Sequence, residues 1–392
     1  MCMLQTEQEQ LKQENKAFRY LYGFGILFVV LSHCDGGGFE MLSNWMHFGA
    51  FHLAIFVFGS GYFLAGRTVT KPVAFIWKKV KKLLVPLWLW NVVYGLLLLI
   101  LQKIGFTYDA AVNIKTLLLS PINSFQLFIL DMGAWFVFPF FMVQFLYILG
   151  ASLLGLLHKK QITDPVWQLL YLVMGVWIVY ASGQGLWENM PQPLCRIAYF
   201  IPFYILGMWY HNYLEKYIDR LSVTGLLSGC LIGALLLNAH FGRVVYAIPS
   251  SCDYPFGVVA TYLSACIGIL FWLTVSKVLA RMTEDVKILR FMGNHTWDIM
   301  FHQFMGILLV KVLFFLCNRC FGIFADFDKN AFLSDIWYLY LPKQMAEFKA
   351  LYVVGAIAFS VLVGKAVTLC KNKVMSYVNL QRWEINHESA VN

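Results

Sequence analysis

Apolar residues fall into ten runs separated by polar connections, at 18–34, 47–66, 83–101, 133–157, 166–182, 197–211, 223–238, 256–279, 295–316 and 349–370. A hydrocarbon core of about 30 Å is crossed by about 20 residues of α-helix, and only a helix or a closed barrel satisfies its backbone amides there. The pattern predicts an all-α membrane protein with about ten transmembrane helices in one bundle. The runs at 197–211 and 223–238 are short for a span, which calls for tilt or partial burial. Largely polar segments flank this region at 1–17 and 371–392. The expected organisation is an N-terminal segment 1–17, a membrane domain 18–370 and a C-terminal tail 371–392. No cleavable signal peptide, internal repeat or second domain is evident.

Composition removes the alternatives. With 60% hydrophobic and only 13% charged residues, a water-soluble globular domain is excluded. The net charge of +9 does not point to nucleic acid, since the bases are scattered between apolar runs. With ten spans, the polar segments on the side of the N-terminus carry twenty Lys and Arg and those on the opposite side seven. The positive-inside rule then puts both termini in the cytoplasm. The nine cysteines are dispersed, with only Cys317 and Cys320 close enough to suggest either a disulfide or two idle thiols. No Cys or His cluster has metal-ligand spacing, so no metal is expected.

Ionisable residues inside a bilayer are costly and are functional candidates by default. Here they are His33, His52, His295 and His302. Each has two readings, an interhelical hydrogen-bonder or a group that takes and returns a proton near neutral pH. His33 lies fourteen residues beyond Arg19, about 21 Å along its helix, whereas His302 lies about 10 Å into the ninth run. They are expected at different depths of one passage. Lys78, Lys79, Lys81 and Lys82 precede the apolar run at 83. They either signal topology and touch lipid headgroups, or hold the phosphates of a ligand at an inner mouth.

Four segments together resemble one family. Residues 51–64, FHLAIFVFGSGYFL, are similar to the second-helix signature FHMPLFFFxSGY of the acyltransferase 3 family. Residues 25–33, GILFVVLSH, resemble its first helix with the histidine in place, and 78–86, KKVKKLLVP, its basic RxxR-type stretch. Residues 291–302, FMGNHTWDIMFH, resemble its late LGxxSLxIYxxH helix, with Thr296 and Met300 at the serine and tyrosine positions. Trp135-Phe136 and 204–207 are weaker echoes, and the place where the family often has arginine is Tyr22, with Arg19 one turn earlier.

The resemblance implies an integral plasma-membrane O-acyltransferase of bacterial type. It would move acetyl from cytoplasmic acetyl-CoA to a hydroxyl of an envelope or extracellular polysaccharide or lipid-linked glycan. It implies His33 as general base or acyl carrier, with His302 as a second catalytic residue. Arg19, Lys79 and Lys82 would hold the donor, and His52 and Trp135 would contact the acceptor. The long connections 102–132 and 317–348, with Tyr108, Asp109, Asp326, Asp328, Trp337 and Tyr338, are either a lid or acceptor rim, or an interfacial aromatic belt. The alternative function is a multi-span transporter or flippase of a lipid-linked sugar. That class often shows paired broken helices, and none are evident here.

Overall fold

The computed structural model describes residues 2–34, 44–67, 69–108, 112–123, 127–155, 164–187, 190–282 and 284–391. Most of the connection at 35–46, together with Asp109, Lys159 and Lys160, lies outside these residues. Each of the ten apolar runs coincides with a helix: α1 (Cys2–His33), α2 (Phe48–Ala65), α3 (Pro72–Lys103), α4 (Met132–Leu153) and α5 (Pro165–Gly183). They continue with α6 (Gln192–Trp209), α7 (Val223–Phe241), α8 (Gly257–Arg281), α9 (Thr296–Phe321) and α10 (Lys349–Val391). No β-strand occurs among the described residues; a single isolated bridge joins Ile248 and Asp253.

Eight of these helices are long and apolar enough to cross a membrane. The other two, α1 and α6, occupy the middle of the bundle. No residue is exposed from Tyr20 to Leu31 or from Cys195 to Tyr210. Protein rather than lipid faces them, so they need not carry a continuous apolar surface. At the periphery the balance reverses, and α7 buries only Cys230 and Ala234. Helices α1 and α10 run on into the polar termini, in keeping with the helix-favouring Glu, Gln and Lys of residues 7–16.

Helix ends follow local chemistry. The Asp164 carboxylate accepts from the amides of Val166 and Trp167 ahead of Pro165, and the Ser222 hydroxyl accepts from Gly225, starting α5 and α7. Gly242 and Gly322, both left-handed, end α7 and α9.

The second-helix signature has a steric reason. Helices α2 and α6 cross so closely that a Cβ on Gly61 would run into the Tyr204 carbonyl oxygen, and one on Gly207 into that of Phe58. Small residues let backbones touch where lipid supplies no hydrophobic drive between helices. Backbone cannot swing aside, so Gly207→Ala should destabilise the bundle by about 1–3 kcal/mol. A lowered unfolding midpoint in detergent is the measurement, and an unchanged midpoint contradicts the crossing.

The start of the first long connection and the second one fold together over the end of the bundle that carries His33, while the helix Ile114–Asn123 of the first packs back along α3, where the Leu117 and Leu118 carbonyls accept from Asn91 and Trp88. Thr107 N–H donates to the Leu333 carbonyl at 2.8 Å, and Phe332 packs against Phe106, Phe315 and Phe327 at ring distances of 5.1–5.5 Å. Tyr340 donates to Asp326 from the same cluster. The aromatic residues of the second connection therefore form a packed cap. Only part of them, Trp337 among them, is left facing outward.

Candidate active site

Helix α1 ends at His33, where α9 passes beside it. The Nδ1 of His33 is 2.9 Å from Oε1 of Gln303, a residue with no exposed surface. The Gln303 Nε2 donates to the Met300 carbonyl at 3.3 Å, which fixes the amide so that its oxygen faces the imidazole. An amide oxygen only accepts, so Nδ1 of His33 carries the proton and donates it. In the neutral ring Nε2 then holds the lone pair. Gly133, just before α4 leaves its first turn, makes room for this arrangement, since a Cβ there would collide with the Gln303 amide nitrogen. Phe304 and Trp337 flank the imidazole at ring distances of 4.7 and 6.0 Å.

His302 is the residue before Gln303 and faces α3 instead. Its Nδ1 shares a 2.6 Å hydrogen bond with the Tyr94 hydroxyl, and Trp90 stands edge-on at 4.3 Å. The expected difference in depth between His33 and His302 does not hold, because the Gln303 hydrogen bond brings His33 level with the turn of α9 that bears His302. The cause is the short helix Lys287–Asn294, which packs along α1 so tightly that Gly293 lies against the Arg19 carbonyl. Helix α9 thus begins well inside the bundle. His295, at that junction, pairs with Asp298 at 2.9 Å. His52 sits in the break of α2 and donates from Nδ1 to the Phe48 carbonyl at 2.6 Å. Trp135 lies under the guanidinium of Arg196 at 5.3 Å, and Arg196 Nε donates to the Ser250 carbonyl at 2.7 Å.

A cavity of about 510 Å³ lies on the side of His33 toward the start of α1, reaching Tyr22 and Ile26, between α1, α2, α3, α4 and α9. The exposed Arg67, Lys82 and Asn294 and half-buried Lys79 line its mouth, Ser60, Gln144 and Thr296 follow, and Phe136, Phe140 and Met300 line its apolar depth. The basic run of α3 contains a π-helical stretch, Val80–Leu84. Half-buried Lys79 and exposed Lys82 line the cavity, while Lys78 and Lys81, also exposed, do not. Arg19 is exposed and is not among the lining residues, whereas Tyr22 and Arg67 are. The cavity ends at Ile26 and Met300. From Ile26 to His33 is about 10 Å of helix rise, and from Met300 to Gln303 about one turn. His33 therefore stands beyond the floor of the cavity, on the same two helices that wall it.

A family model described as an acyltransferase domain, acyltransferase 3, matches residues 15–365. The chain belongs to the acyltransferase 3 family. It is an integral membrane acyltransferase, and the match spans every helix described above from α1 into α10. Searches of curated proteins and of solved structures gave no match. For an acyltransferase, a cationic mouth, an apolar depth and a histidine with a free Nε2 form an ordered set of parts. Neither Gln303 nor Arg67 belongs to a family motif, although each lies within three residues of one: Gln303 follows the late histidine and Arg67 follows Leu64. No group of His, Cys, Asp or Glu suited to a metal ion occurs among the described residues. The thiols of Cys317 and Cys320 are free.

Proposed function

We propose that this acyltransferase moves acetyl from acetyl-CoA, bound at the Arg67, Lys79 and Lys82 mouth, to a hydroxyl of an envelope or extracellular polysaccharide that reaches His33 from the opposite side of the membrane. The observation that carries the reading is the cavity. Its three cations suit the phosphates of the donor, and its apolar depth, walled by α1 and α9, suits a thin acyl-bearing arm heading toward His33. The excess of bases at the cavity end makes that end cytoplasmic, with both termini there and ten helices spanning.

In this reading His33 Nε2 removes the proton of the acceptor hydroxyl as its oxygen attacks the thioester carbonyl. The C–S bond breaks, the ester C–O bond is formed, and the proton passes from His33 to the departing thiolate. Gln303 holds the ring with Nε2 forward and accepts from Nδ1–H in both protonation states. His302, joined to Tyr94 within the bundle, helps set the position of the same turn of α9. His52 and Trp135 shape the acceptor side through their contacts with Phe48 and Arg196.

The test is the release of free CoA by detergent-solubilised protein. With acetyl-CoA and an extract of envelope glycans, release should depend on both, and the glycans should gain ester-linked acetate by mass spectrometry. A flippase or transporter of a lipid-linked sugar would show neither. No acceptor-dependent release and no acetylated glycan would end the proposal.

A further inference from the structure

The cap over His33 is tied to α9 by a buried lysine. Lys311, on α9 two turns beyond Gln303, has no exposed surface. Its ammonium donates to the carbonyls of Ile336 at 2.9 Å and Asp335 at 3.3 Å, and lies 5.2 Å over the ring of Tyr108. Tyr108 in turn donates to the Phe332 carbonyl at 2.5 Å. One ammonium and one phenol thus fasten the segment that leads directly into Trp337. The next turn is closed by Asp335, whose carboxylate accepts from the Trp337 amide at 2.8 Å.

A polar group inside a bundle is expensive unless it is hydrogen-bonded, and a lysine used only for packing would be replaced at a gain by methionine or leucine. What Lys311 holds in place is an indole that is 48% exposed although it packs on the buried ring of Phe304. Trp337 stands edge-on to Phe304 at 5.4 Å and beside His33 at 6.0 Å. One surface of the indole is therefore fixed against the catalytic histidine and the other faces outward.

We infer that Trp337 is a contact surface for the acceptor, taking the C–H face of a ring-shaped alcohol beside His33, and that Lys311 is the positioning residue that holds it there. The negative face of an indole attracts polarised C–H groups as it attracts the edge of another ring. A cyclic polyol stacked on it would present an adjacent hydroxyl to His33 Nε2, whereas a short flexible alcohol gains little from the same surface. The inference rests on the reading of His33 as the group that activates the acceptor.

The experiment compares methyl glucoside with glycerol as probe acceptors, following acetyl-CoA-dependent CoA release by the full-length protein in detergent. The wild type should prefer methyl glucoside in kcat/KM. Trp337→Ala should lower that preference about tenfold, chiefly through the KM for methyl glucoside. Trp337→Tyr, which keeps an aromatic face, should retain most of it. Lys311→Met, close in volume but unable to donate, should lower the preference in the same direction, and the unfolding midpoint is recorded beside it. A wild type indifferent between the probes, or a Trp337→Ala protein with the preference intact, overturns the inference. A Lys311→Met protein that loses only thermal stability overturns the role of Lys311. His33→Ala is run in parallel: if it still transfers to both probes, the underlying reading of His33 fails, whatever Trp337 does.

Discussion

Replacing His33 with alanine should reduce acyl transfer by about 10²–10⁴-fold, the usual contribution of a positioned general base. The loss should appear in kcat and kcat/KM together, with the KM for acetyl-CoA nearly unchanged, because the cavity ends about 10 Å of helix short of the imidazole. The same geometry predicts a smaller effect at Gln303. Leucine there removes the acceptor that keeps the His33 proton on Nδ1, so the ring loses its fixed tautomer while keeping its chemistry. Gln303→Leu should therefore fall between the wild type and His33→Ala. Purified His33→Ala with wild-type turnover would show that the proton is taken elsewhere.

Removing the cations of the cavity should act on the donor instead. In Lys79→Gln/Lys82→Gln two charge-assisted contacts to phosphate are lost. The KM for acetyl-CoA should rise by about tenfold or more, with kcat less affected, given the screening of the exposed Lys82 at the mouth. Arg67→Gln should add to the effect. Added salt should raise the KM of the wild type more steeply than that of the variants. The control lies within the same basic run. Lys78 and Lys81 are exposed and do not line the cavity, so Lys78→Gln/Lys81→Gln should leave the KM near the wild-type value. If both pairs behave alike, the run serves only topology and headgroup contact.

The apolar runs determined the class of fold, and for a physical reason. Lipid leaves a spanning backbone no partner but its own helix, so hydropathy along the chain translates directly into helices. Each of the ten runs holds a helix among the described residues. The glycines of the second-helix signature and the basic stretch before the third run were also legible, because a close crossing and a charged mouth need particular residue types at fixed spacing.

What the sequence by itself could not decide is which residues meet. His33 and Gln303 are 270 positions apart, and the depth of His302 depended on a short helix packed against α1 that no apolar count reveals. Arg19 and Arg67 are equally good cations on paper. Both are exposed, and only the arrangement of helices puts Arg67 on the lining of the cavity and leaves Arg19 off it. The cap shows the same division. Its aromatic and charged composition reads as a membrane interface until Lys311 is seen gathering the two backbone carbonyls that precede Trp337. Hydropathy is a property of each segment against its solvent and is written along the chain. A site is a property of several segments against one another, and it exists only once they have packed.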